Sequence, residues 1–251
     1  MRKSILIIGQ SNMAGRGFKD EVEPIVNDKL LVLRNGRWWK MYVPVNPDRV
    51  TAGINLVESF ADLYARDNDV EVGIIPCADG GTSIEQWEKG GVLFDHACYM
   101  AELASRSSEI VAVLWHQGES DCIAERAALY EERLSKLIDD FREKLNIPTV
   151  PFIIGGLGEY LNNYSNTYVD GKLHTKINEA LMNVAKKKET VGFVSAEGLD
   201  ANPDNLHFSA AALREFGIRY YNEFLRFANN GKTAETTPSS DSFKASEIEA
   251  L

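Results

Sequence analysis

The sequence predicts an α/β fold: three layers, α/β/α, around a five-stranded parallel sheet in the flavodoxin-like order 2-1-3-4-5, with an inserted β-hairpin. Three observations predict it. Five short apolar runs rich in β-branched residues recur along the chain, at 5–8, 70–76, 110–115, 150–154 and 191–194. Runs apolar on both faces suit strands buried in a parallel sheet. Between them lie stretches of helical period, at 55–66, 94–104, 126–145, 172–187 and 210–227. Finally, the segments just beyond four of the runs are rich in glycine and polar residues, as ligand-binding loops at strand ends are.

In order along the chain, Ile5, Leu6, Ile7 and Ile8 form the first strand and stop at Gly9-Gln10-Ser11-Asn12. That apolar stretch is too short for the core of a signal peptide, about 7–15 residues. A long connection follows over 16–53, and connections of that length in a compact domain are usually functional. Within it, 30–34 and 37–42 flank Asn35-Gly36, a pair suited to the two φ > 0 positions of a type I′ turn, so the hairpin is placed there. The helix over 55–66 carries Leu56, Phe60, Leu63 and Tyr64 on one stripe. The remaining runs then alternate strand and helix, and right-handed crossovers leave few topologies. One domain is expected over 1–230. Residues 231–251, with seven Ser/Thr among 21, are expected to form a flexible tail.

Composition excludes several classes. The chain has 251 residues, 27 Lys+Arg against 37 Asp+Glu, and a net charge of −10. An acidic balance argues against a nucleic-acid footprint and against anionic membrane surfaces. Cys77, Cys98 and Cys122 are too few and too scattered for a disulfide framework or a thiolate metal site. No apolar run approaches the roughly 20 residues of a membrane span. A cytoplasmic protein with no membrane or nucleic-acid partner is expected; its oligomeric state is open.

The strand-end loops carry the chemistry. They are 9–17, 77–84, 116–121 and the segment containing Asp204-Asn205-Leu206-His207. A serine nucleophile needs a base within reach, an orienter for the base, and donors for an oxyanion. Ser11 supplies the hydroxyl, His207 the base, and Asp204, three residues earlier, the orienter. Gly80 and Gly81 can bring backbone N–H groups close to a ligand, and Gln117 offers a side-chain amide. Met13 stands where an α/β-hydrolase elbow, Gly-x-Ser-x-Gly, would have its last glycine.

Gln10-Ser11-Asn12-Met13, Gly80-Gly81-Thr82-Ser83, Trp115-His116-Gln117-Gly118-Glu119-Ser120-Asp121 and Asp204-x-x-His207 together resemble the blocks of the SGNH/GDSL hydrolase superfamily. More narrowly they resemble its sialate O-acetylesterase-like branch, which includes the acetylxylan esterases of carbohydrate esterase family 6. The blocks span most of the chain. The resemblance implies the SGNH form of the three-layer fold and removal of acetyl groups from a sugar or oligosaccharide, without metal or other cofactor. It puts the nucleophile on Ser11 and the acid/base pair on Asp204 and His207. The oxyanion donors are expected from Ser11, Gly81 or Gly80, with Gly81 favoured, and Gln117, which stands where the wider superfamily has asparagine. Gln10, Asn12, Trp87, Glu119 and Arg16 are expected to bind substrate or organise the site, Glu119 by pairing with Arg16.

Simpler roles compete. Ser11 could be a helix N-cap. His116 also follows a strand, but lacks a carboxylate spaced as suggestively as Asp204 and is read as structural or substrate-facing. His96 and His174 lie within helical patterns. His116, Glu119 and Asp121 are too few for a metal site. One of Trp38 and Trp39 is expected to be accessible for stacking on sugar. The competing functions are a nucleotide binder, for which Gly-x-Gly-x-x-Gly and Gly-Lys-Ser/Thr are both missing, a carbohydrate binder without turnover, and a non-carbohydrate esterase or thioesterase.

Overall fold

A computed structural model describes residues 1–228. The expected tail over 231–251, and the domain boundary placed at 230, lie outside the described residues. Seven strands form one sheet, in the order β3-β2-β4-β1-β5-β6-β7. They are β1 (Arg2–Gly9), β2 (Leu30–Arg34), β3 (Arg37–Lys40), β4 (Val72–Pro76), β5 (Ser108–His116), β6 (Phe152–Gly155) and β7 (Val191–Val194). The helices are α1 (Ser11–Ala14), α2 (Val57–Asn68), α3 (Val92–Ser105), α4 (Ala124–Leu145), α5 (His174–Lys187) and α6 (Ala210–Ala228).

The expected count of five strands is corrected to seven, and the order of the sheet is lengthened at one edge by β3-β2; within it the five expected strands stand as β4-β1-β5-β6-β7, their relative order 2-1-3-4-5. The hairpin is part of the sheet, because β2 pairs in parallel with β4 through Leu30–Val72 and Val32–Ile74. β3 then closes that edge antiparallel to β2. The turn between them has φ of 48° at Asn35 and 73° at Gly36, the two positive values a type I′ turn requires. Trp38 fixes the hairpin against the sheet: a Cβ on Gly73 of β4 would lie 2.4 Å from its ring. Its indole N–H donates to Ser107 Oγ at 3.0 Å.

The period of two along β1 divides the core. Ile5 and Ile7 pack with Phe60 of α2 and Phe216 of α6 on one face. Leu6 and Ile8 pack with Cys98 of α3, Tyr130 of α4 and Leu181 of α5 on the other. Burial of both faces explains why these strands read as continuous apolar runs. Parallel strands also put their carboxyl ends on one rim. Backbone bonds lock three of those ends together: Gln10 N–H to His116 O at 2.9 Å, and Asp79 N–H to Gly9 O at 2.9 Å. Gly9 is required there, since a Cβ would stand 2.2 Å from His116 O.

Candidate active site

Ser11 is the first residue of α1, separated from β1 by Gln10 alone. The N-cap position is Gln10, not Ser11, and no side chain caps the helix. The Ser11 hydroxyl instead meets His207 Nε2 at 3.0 Å. The other ring nitrogen, Nδ1, lies 2.6 Å from Asp204 Oδ2. Asp204 Oδ1 accepts the backbone N–H groups of Leu206 and His207 at 2.9 and 3.0 Å. This local turn holds carboxylate and imidazole in one geometry. Burial alone would raise the Asp204 pKa. The ring and backbone N–H bonds, with the His207 charge, outweigh burial and hold the acid below its ordinary value.

Asn12 ties this loop to the first strand. Its Oδ1 accepts Phe208 N–H at 3.1 Å, and its amide donates to Leu206 O at 3.1 Å. The same amide donates to Glu119 Oε1 at 2.5 Å. Glu119 Oε1 also lies 3.3 Å from His116 Nε2. Gln10 Oε1 accepts from Gly118 N–H and Ser120 N–H at 3.3 and 3.2 Å, joining the loops after β1 and β5. Gln10, Asn12 and Glu119 are thus brought together around Ser11.

A cleft of about 430 Å³ opens over the pair. Ser11, His207, Gly80, Gly81, Arg16 and Glu119 are among its lining. Gly81 has φ +80°, with no atom within 4 Å of the position a Cβ would take. Among the described residues its N–H has no hydrogen-bond partner. The N–H of Ser11, at the first helical position, has no intrahelical partner either.

Several expectations are corrected. Gln117 is 0% exposed and does not reach the cleft. Its amide donates to Asp121 Oδ2, Thr82 O and Gln10 Oε1 at 2.5, 2.9 and 3.2 Å. Two protons facing three acceptors leave none for an oxyanion. Gly80 N–H is engaged by Asp48 Oδ2 at 2.8 Å. Gly80 matters by lacking a side chain, since a Cβ would stand 2.6 Å from the Arg16 guanidinium. Arg16 pairs with both oxygens of Asp48, at 3.0 and 2.7 Å, and not with Glu119. Trp87 is 0% exposed and donates to Thr82 Oγ1 at 3.1 Å. It is a core residue, stacked edge-on against Trp115. Trp38 is held by Ser107 and Arg2 near the amino ends of β5 and β1. Trp39 is exposed but pairs with mid-strand Val32, away from the carboxyl rim. His116 is fully buried, between the edges of Phe208 and Phe216.

The sequence reading missed Asp48, Arg49 and the loop bearing Tyr164 and Tyr168. Asp48 had a signal in the unusual length of the 16–53 connection. The Tyr164–Tyr168 loop had none, because it has neither strand nor helix period. Among the described residues no three His, Cys, Asp or Glu side chains gather as a metal site, and no helix is long and apolar enough to cross a membrane. Burial pushes the thiol pKa values of Cys77, Cys98 and Cys122 up.

A hydroxyl 3.0 Å from an imidazole that is itself held by a carboxylate can lose its proton as it attacks a carbonyl carbon. The comparisons agree with that chemistry. Residues 2–226 match the family model described as "Carbohydrate esterase, sialic acid-specific acetylesterase". A protein of Arabidopsis thaliana described as a probable carbohydrate esterase is 32% identical over 243 residues, covering 88% of this chain and 89% of its own. A solved Arabidopsis thaliana structure superposes with a TM-score of 0.79 at 31% identity, over 90% of this chain and 98% of that one. The structure of NanS superposes at 0.70 and 16% identity, over 91% of this chain and 98% of that one. A carbohydrate acetylesterase from Xanthomonas citri superposes at 0.66 and 19%, over 92% and 57% of the two chains. These last two bear on the fold alone.

Proposed function

This chain belongs to the sialic acid-specific acetylesterase family of carbohydrate esterases, and we propose that it removes O-acetyl groups from a sugar through an acetyl-enzyme on Ser11. The observation that carries the mechanism is the unbroken line Asp204–His207–Ser11, with contacts of 2.6 and 3.0 Å, at the floor of an open cleft. Ser11 Oγ bonds to the acetyl carbon while its proton passes to His207 Nε2. Asp204 fixes the tautomer with Nδ1–H and stabilises the imidazolium. The carbonyl oxygen becomes an anion, received by the N–H groups of Ser11 and Gly81. The bond to the sugar oxygen then breaks, and His207 returns the proton to that oxygen. Water repeats the sequence on the acetyl group, giving acetate and free serine.

Gly81 supports the oxyanion role better than Gly80 or Gln117, because its N–H alone of the three is uncommitted. Gln10, Asn12, Glu119 and Arg16 act by holding loops in register. The cytoplasmic reading rests on three unpaired cysteines. Acetate release from acetylated xylo-oligosaccharides, O-acetyl sialic acids and an aryl acetate tests the function. An organophosphorus probe should label the wild type on Ser11 alone, and Ser11→Ala should lose both labelling and turnover. Undiminished turnover in that variant would refute the mechanism.

A further inference from the structure

The cleft beside Ser11 has two chemically different sides. Sheet order places the loop after β4 on one side of the β1 and β5 loops, and the connection after β6 on the other. The β4 side brings Gly80 and Gly81, with Arg16 and Arg49 beside them. The β6 side brings Tyr164, Tyr168 and Val169. Tyr168 is 79% exposed, an aromatic ring shown to water at the edge of a catalytic cleft.

The backbone under that ring is well tied. Asn166 Oδ1 accepts Tyr168 N–H and Val169 N–H at 2.7 and 2.9 Å. The Asn166 amide donates to Tyr164 Oη at 2.8 Å. Asp170 N–H donates to Cys122 O at 2.8 Å, and Gly171 N–H to Tyr164 O at 3.0 Å. A single exposed apolar side chain needs no explanation. Tyr168 differs in standing on an anchored loop and lining the cleft that holds His207, with the half-buried Tyr164 and Val169 beside it.

Resting on the esterase reading, we infer that Tyr168 is the platform for the pyranose ring of the leaving alcohol. A pyranose has an apolar C–H face and a rim of hydroxyls. The tyrosine ring suits the face, and the arginines that line the cleft, Arg16, Arg49 and Arg126, suit the rim. The acetyl group, with two carbons, has no ring to place there, so the platform serves the sugar. Tyrosine loses little conformational entropy on stacking, having two side-chain torsions.

The experiment compares acetylated xylo-oligosaccharides with ethyl acetate, which has no ring to stack. Tyr168→Ala should raise KM for the oligosaccharides about tenfold, from a loss comparable to one aromatic contact. Its kcat on them, and its kcat/KM on ethyl acetate, should match the wild type. Tyr168→Phe and Tyr168→Trp should keep the wild-type KM, since Tyr168 Oη makes no hydrogen bond among the described residues. An unchanged oligosaccharide KM in Tyr168→Ala overturns the platform and leaves the esterase standing. So does an equal loss on both substrates, which would make the tyrosine a support for the loop. A wild type that cleaves ethyl acetate and no acetylated sugar overturns the platform and the sugar reading. A wild type inert on every ester overturns the esterase reading as well.

Discussion

Two histidine–carboxylate pairs lie within reach of the Ser11 loop, the partners in each three positions apart. In His207–Asp204 the carboxylate precedes the ring; in His116–Glu119 it follows. The first pair is partly open, with side-chain exposures of 17% and 47%. The second is sealed, at 0% and 2%. His207 uses one nitrogen on its carboxylate and the other on a hydroxyl. His116 uses Nε2 on Glu119 at 3.3 Å, and its Nδ1 meets no partner. The same two side-chain types thus do different work. A ring with a hydroxyl beyond it can move a proton, whereas a ring with a dead end can only hold a neighbour in place. Glu119 passes that hold to Asn12, and Asn12 to the backbone on both sides of His207.

The largest expected effect separates the two rings. His207→Ala should lose about 10⁴-fold or more in kcat, as triad bases do, with an unaltered far-UV spectrum. His116→Ala should keep most of its kcat per folded molecule; a reversal of the two losses would exchange their roles. Next comes Asp204→Asn, expected to cost about 10³–10⁴ in kcat by admitting the wrong tautomer, with little change in KM. The sealed pair should answer in stability instead. His116→Ala leaves the buried Glu119 with the Asn12 amide as its remaining side-chain partner, a loss of about 1–3 kcal/mol, read from urea unfolding.

The smallest effect concerns pH. Glu119 and Asp121 are two residues apart and shift in opposite directions. Burial would raise Glu119, but the His116 charge and the bonds from His116 and Asn12 bring it below its ordinary value. Its stabilisation is therefore complete above the ordinary carboxylate range and is lost as pH falls. Burial pushes Asp121 up to about 6, against the bonds from Gln117 and Ile84 N–H. Its stabilisation is present below the ordinary carboxylate range and is lost as pH rises through about 6. Asp121→Asn should flatten that decline by a few degrees of Tm on the order expected for a chain of this size. A decline unchanged in the variant would assign it to other groups.

Much of this was legible in the residues, for definable reasons. Strand period and helix period placed the parallel strands, because burial on both faces leaves an uninterrupted apolar run. Asn35-Gly36 announced its turn, since few pairs tolerate two positive φ values. The spacing Asp204-x-x-His207 announced contact, because a tight turn brings those side chains together. Depth was not legible. Gln117 and Trp87 each stand close to a polar loop in sequence, and spacing alone does not say that Asp121 and Thr82 take up their donors from within. Pairing of the hairpin with β4 was hidden too, as a two-stranded ribbon reads the same whether free or docked. Tyr168 was invisible because an irregular loop has no period to read.

The Ser11–His207 contact joins residues 196 apart in the chain. Six strands, β2 to β7, lie between the two partners in sequence. Contacts of such separation form late, because the intervening loop entropy must first be overcome. The proposed active site is therefore expected to be completed late in folding. A chain still collapsing, with helices formed and strands unpaired, exposes a serine that is no more nucleophilic than any other. The return of ester cleavage after dilution from denaturant should therefore trail the return of secondary structure, and simultaneous recovery would refute that order.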